Sequence, residues 1–170
     1  MTEQQFEELA KRWPDLFQKS GDFELSIGDG WYNIIDTLCA FLSSDIERAR
    51  TRLKYALDNP DAKFVESTYK LEKSVANALE NLPVIVQVKE KFGTLRFYVD
   101  GGTPEMSNYI EFAEAMSGRT CEVCGSPAER RNLGWIRTLC DSHTREQEQK
   151  NTTETVAWSY AKSVTKLSDE

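Results

Sequence analysis

Apolar positions first recur with a helical period. Phe6, Leu9, Trp13 and Leu16/Phe17 fall on one face of a short amphipathic helix over residues 2–18. The stretch SGDFELSIGDG interrupts the pattern, with Gly28 and Gly30 as turn formers and Asp29 placed to cap the next helix. From Trp31, the positions Ile34, Ile35, Leu38, Phe41, Leu42, Ile46, Ala49, Leu53 and Leu57 keep i, i+3/i+4 spacing. They predict one long helix, stopped by Pro60. A third helix is predicted over about 62–82, carried by Phe64, Val65, Tyr69, Leu71, Val75 and Leu79.

After Pro83 the period drops to two. VIVQVKEKFGTLRFYVDGG reads as a β-hairpin at about 84–100. Alternation puts Val84, Val86 and Val88 on one face, with Ile85, Gln87 and Lys89 on the other. Leu95, Phe97 and Val99 extend an apolar face, and Arg96 and Tyr98 an outer one. Thr103, Pro104 and Gly118 then bracket a helix, as cap, first residue and stop. From about Asp141 to Leu167 the chain is polar and helix-prone, with a partial apolar stripe of Val156, Trp158, Tyr160, Ala161 and Val164.

Between those last two helices lies CEVCGSPAERRNLGWIRTLCDSH, which holds three of the four cysteines and the single histidine. Cys121 and Cys124 form C-x-x-C; Cys140 and His143 form C-x-x-H. Two such pairs, separated by a stretch that can make a short hairpin, match the ligand spacing of a closed tetrahedral zinc site. The second pair falls at a helix start, where peptide dipoles favour thiolate. The expected cofactor is one structural Zn²⁺ on Cys121, Cys124, Cys140 and His143. Cys39, among Ile35, Leu38 and Leu42, reads as a core residue. The fold class is α+β: mostly helical, with a β-hairpin and an embedded treble-clef-like zinc module. Residues 1–118 form a helical domain carrying the hairpin, 119–146 the zinc module packed on it, and 147–170 a C-terminal helix or tail.

With His143 on the metal, no histidine remains for Ser-His or Cys-His nucleophiles, for an H-E-x-x-H hydrolase or for an HNH nuclease. The H-x-E and P-C-x-x-C signature of zinc deaminases and a Gly-rich phosphate loop are absent too. The chain therefore reads as a non-enzyme, with carboxylate-only chemistry at Asp15, Asp22, Glu24, Asp29 or Asp36 left open beside the plainer reading of solvated acids.

Charge narrows the partners. The formal net charge of −7 argues against bulk nucleic-acid binding. Residues 1–62 carry 12 acidic and 7 basic side chains, whereas 84–143 carry 8 and 7, so a local anion site is expected in the later stretch. Its candidate ligand-binding residues are Lys89, Lys91, Arg96 and Tyr98 on the hairpin and Trp135 and Arg137 in the zinc segment, where a cation beside an aromatic ring suits a phosphate with a base to stack. The competing reading makes the same arginines clamps onto acidic helices. No apolar run reaches the length of a membrane helix, and MTEQQFEELAKRW lacks the basic flank and apolar centre of a secretory signal, so the expected location is the cytoplasm.

GDGWYNIIDTLC, QVKEKFGTLRFYVDGG, YIEFAEAMSGRTCEVCG and GWIRTLCDSH together resemble a group of small uncharacterised proteins encoded by bacteriophages and prophages. The resemblance covers about residues 28–44 and 84–144. It implies an accessory protein acting in the host cytoplasm, often by binding. One expectation is capture of an anionic, nucleotide-like signal that serves host defence; a second is an inhibitor or adaptor on a host protein, such as a defence or transcription component; a third is a nucleic-acid-binding zinc protein. The ligand spacing is also similar to that of the DksA/TraR regulators of RNA polymerase, but those carry an acidic coiled-coil tip where this chain has a hairpin.

Overall fold

The computed structural model describes residues 1–17, 25–61 and 66–153. The first helix, α1 (Glu3–Arg12), opens with a reciprocal cap: the Gln5 backbone N–H donates to Thr2 Oγ1 at 3.3 Å and the Thr2 N–H to Gln5 Oε1 at 3.2 Å. A two-residue strand, β1 (Leu25–Ser26), follows where a loop was expected. A single 3₁₀ turn at Asp29–Trp31 then leads into α2 (Tyr32–Leu42).

The expected long helix is in fact two. Helix α2 ends at Leu42, and α3 (Ser44–Asp58) starts after Ser43. Two consecutive serines, which bond their own backbone readily, weaken the helix interior at this point. The break lets α3 pack along α4 (Thr68–Glu80). In consequence only Ile46, Ala49 and Ala56 of α3 are buried, and Leu57 is exposed. The expected start of the third helix, at 62–65, lies outside the described residues.

Strands β2 (Val84–Lys91) and β3 (Thr94–Asp100) form the expected hairpin, and β1 pairs parallel to β2 through Leu25–Val88 and Ser26–Lys89. Strict alternation fails in the first half of β2. A register shift between Ile85 and Gln87 leaves Val86 as the extra residue, so Ile85 and Val88 turn inward while Val86 faces out. The turn is Phe92–Gly93, both with positive φ, as a two-residue hairpin loop requires.

Helix α5 (Pro104–Ser117) covers the outer edge of β3. The Leu95 N–H donates to Ser117 Oγ at 2.8 Å and the Phe97 N–H to Glu114 Oε1 at 2.9 Å. Side chains of one helix thus satisfy the backbone of an edge strand and close it to further pairing. A second small sheet, β4 (Glu129–Asn132) with β5 (Ile136–Leu139), lies between the cysteine pairs, and residues 141–153 continue as a helix, here α6. The fold is α+β. Its core gathers Leu9, Leu16, Trp31, Ile35, Leu42, Ile46, Val88 and Leu95 in one cluster. Among the described residues, no helix is long and apolar enough to cross a membrane.

Candidate metal centre

Cys121 and Cys124 sit on a tight turn that closes with the Gly125 N–H donating to the Cys121 carbonyl at 2.9 Å. Gly125 leaves the turn at φ 77°, a left-handed conformation that glycine adopts freely. Cys140 precedes α6 and His143 lies in its first turn. The four ligand atoms converge to within 4.8 Å of one another. His143 Nδ1 is 3.5 Å from Cys121 Sγ and 3.1 Å from Cys140 Sγ, and Cys124 Sγ is 3.8 Å from Cys140 Sγ. A tetrahedral ion with metal–sulfur bonds of about 2.3 Å would hold two sulfurs about 3.8 Å apart. The group can therefore hold one metal ion, and three thiolates with one imidazole are a donor set that suits zinc.

The local electrostatics favour the thiolate at Cys140 and Cys124 and oppose deprotonation at Cys121 and His143. Hydrogen bonding to the Ser142 hydroxyl, then to the His143 backbone, lowers the Cys140 thiol to about 6. Cys124 is also lowered, first by the Ser126 hydroxyl. Burial pushes Cys121 up, and contact with Cys140 raises His143. Cys39 is the contrast: it is fully enclosed, burial pushes its thiol far up, and it lies apart from the group.

What holds the cysteine turn in place is the loop before α2. The Gly30 N–H donates to the Glu122 carbonyl at 2.9 Å, and the Trp31 indole N–H to the Thr120 carbonyl at 2.8 Å. The approach is so close that a Cβ on Gly28 would lie 1.9 Å from the Glu122 carbonyl oxygen, and one on Gly30 2.1 Å from that of Cys121. The GDGW segment is a backbone dock for the cysteine turn. This role was missed in the sequence, where the glycines read as turn formers. Glu122, between the two cysteines, adds a second tie. It is buried and accepts from Arg137 Nε at 2.5 Å, while Arg137 also donates to Gln147 of α6 at 2.8 Å. A third tie runs to the hairpin tip, where the Thr138 hydroxyl donates to the Gly93 carbonyl.

The candidate anion-binding residues divide between the hairpin and the zinc segment. Lys89 pairs across the strands with Arg96, and its ammonium lies 5.3 Å from the centre of the Tyr98 ring, so these three do share the outer face. Lys91 sits at the turn, over Phe92. Arg96 Nη1 is 3.5 Å from Glu114 and also donates to its neighbour's carbonyl. Arg137 is held by Glu122 and Gln147, and Trp135 is exposed at the β4–β5 turn. Both arginines thus have structural partners. Of the candidate acids, Asp15 pairs with Arg50 and Asp36 with Arg12 and the Trp13 indole, whereas Asp22 and Glu24 lie outside the described residues. Comparison with family models, with curated proteins and with solved structures finds no match.

Proposed function

We propose that the chain is a non-enzymatic, zinc-stabilised binding protein of the phage accessory type that works by docking a helical segment of a host protein. The ion in this reading is structural: four protein ligands leave no open position for a substrate. The observation that carries the docking reading is an apolar trough between α2 and α5, with a volume of about 360 Å³. Ile34, Thr37, Leu38 and Phe41 line one wall and Tyr109, Phe112, Ala113 and Met116 the other. Each set follows i, i+3, i+4, i+7 spacing, which makes two parallel stripes that can receive a third helix. Phe41, Tyr109 and Met116 are 52%, 40% and 40% exposed, and Phe112 is 68% exposed, unusual for large apolar side chains gathered in one place. Glu105 and Glu111 are exposed on the same helix α5, and the chain as a whole is acidic. The favoured occupant is an amphipathic helix with apolar anchors and basic flanks.

Selection of binders from a library of amphipathic helical peptides against the zinc-loaded chain tests this. The expected winners carry basic flanks, and Phe112→Arg abolishes their binding without shifting the melting temperature. Winners indifferent to Phe112→Arg would reject the trough as the docking site. Capture of an anion on the hairpin face has weaker support, because Arg96 and Arg137 already face carboxylates.

A further inference from the structure

The ligands of the metal centre are not equally sheltered. Cys121 is enclosed, whereas Cys124 is exposed and Cys140 half-buried, so one side of the centre opens to solvent. The same two cysteines have hydroxyl neighbours. Ser126 Oγ lies 3.3 Å from Cys124 Sγ, and Ser142 Oγ 3.0 Å from Cys140 Sγ. Cys121 is held differently: its N–H donates to the Ser126 carbonyl at 2.8 Å, the next residue is the buried Glu122, and its sulfur faces His143 Nδ1 at 3.5 Å.

The two solvent-facing sulfurs are also close enough to react with each other. Cys124 Sγ is 3.8 Å from Cys140 Sγ. A disulfide brings two sulfurs to about 2.05 Å, a difference that side-chain rotation covers. Any other pairing within the centre needs Cys121, which a solute does not reach. Reactivity of thiolates follows access, so oxidation is directed to one pair out of three.

We propose that the centre is an oxidation switch, in which hydrogen peroxide joins Cys124 to Cys140 and the metal is expelled. The Cys124 thiolate attacks one peroxide oxygen, the O–O bond breaks, hydroxide leaves, and the sulfur becomes a sulfenic acid. The Cys140 thiolate then attacks that sulfur and displaces its oxygen as a second hydroxide. Two thiolates and one peroxide thus give one disulfide and two hydroxides, with two electrons passing from sulfur to oxygen. Both hydroxides depart from the sulfur beside Ser126, whose hydroxyl can donate to each. Only Cys121 and His143 remain as ligands, too few to retain the ion, and the folding free energy it supplied is lost. A dithiol reductant reverses the step, and zinc rebinds. The switch is confined to the metal centre and stands whether or not the trough between α2 and α5 takes a helix.

The test exposes the zinc-loaded full chain to hydrogen peroxide. Released zinc is followed with a chelating dye, thiol pairing by peptide mass mapping, and stability by thermal melting. The expected result is one zinc released for each Cys124–Cys140 disulfide formed, with Cys39 and Cys121 still open to alkylation once the chain is unfolded. The melting temperature should fall, and dithiothreitol with zinc should restore it. Cys124→His keeps a ligand at that position and removes one of the two sulfurs, so peroxide should release its zinc about tenfold or more slowly than from the unaltered chain. Should that variant fail to load zinc, the disulfide map of the unaltered chain decides. Zinc retained under peroxide, release without the Cys124–Cys140 bond, a disulfide through Cys121 or Cys39, or release from Cys124→His at an unchanged rate would each overturn the proposal.

Discussion

The metal-binding turn and the outer face of the β2–β3 hairpin both looked chemical in the sequence, and the structure treats them differently. At the turn, four side chains converge on one point, and the surrounding segment is tied to the loop before α2, through Glu122 to Arg137, and through Thr138 to the hairpin tip. On the hairpin, Lys89, Arg96 and Tyr98 do share a face, but Arg96 is turned to a glutamate of the neighbouring helix. The difference lies in what each chemistry demands. Metal ligation needs fixed residue types at fixed spacing, and both are written locally. The role of an arginine depends on which acid folds up beside it, and Glu114 is 18 residues away.

Four changes sharpen or break that contrast, taken from the largest effect down. Replacing Cys124 with Ser should release the metal and melt at least residues 119–145, because small metal modules draw about 10 kcal/mol or more of folding free energy from the ion. Elemental analysis of the intact chain should give one zinc per chain; folded protein without zinc would refute the assignment. Acid should act in the same direction. A thiol whose folded proton affinity is lowered contributes stability that is lost as the pH falls through its folded value, and protons compete with the ion for all four ligands, so metal retention should weaken progressively as the pH is lowered from about 7.

Gly30→Ala comes next. The added methyl meets backbone rather than a side chain that could move aside, at 2.1 Å from the Cys121 carbonyl oxygen. A loss of about 3 kcal/mol or more is expected, together with weaker metal retention, although no ligand is altered. Denaturant melting combined with a chelator competition would measure both, and an unchanged midpoint would mean that the dock is dispensable. Third, Arg137→Ala strips the partner from the buried carboxylate of Glu122 and should cost about 2 kcal/mol. Glu122→Gln in the same background should restore part of it, which a melting comparison of single and double variants would read directly. Smallest is Arg96→Ala. Its pair with Glu114 is partly exposed on both sides, so the expected loss is about 1 kcal/mol or less. An effect above about 2 kcal/mol would show the hairpin face to be as structural as the metal turn.

The same logic explains which parts of the architecture could be read in advance. The ligand set, the short hairpin between the cysteine pairs and helix α5 were legible because each has a local signature: ligand spacing, turn residues, or Thr-Pro at the start and Gly at the end. The break at Ser43 was not, because the apolar period runs through it and only the packing of α3 on α4 makes the separation worthwhile. The bulge at Val86 was hidden for a similar reason, since valine suits either face of a strand and the register is fixed by Val99 and Tyr98 across the ladder. The docking role of Gly28 and Gly30 needed knowledge of a partner about ninety positions ahead. The trough between α2 and α5 was invisible because it is shared between two helices that sequence alone does not place side by side.

That long reach has a consequence for how the chain comes into being. Trp31 and the carbonyl that its indole meets are 89 positions apart. At ribosomal speeds of about 5–20 residues per second, the tryptophan is made roughly 5 to 20 s before its partner. Cys140 and His143 come later still. While the ribosome works, the early helices leave the exit tunnel before the carbonyl that the Trp31 indole meets has been made, and the ligand set beside it is complete only once His143 has been translated.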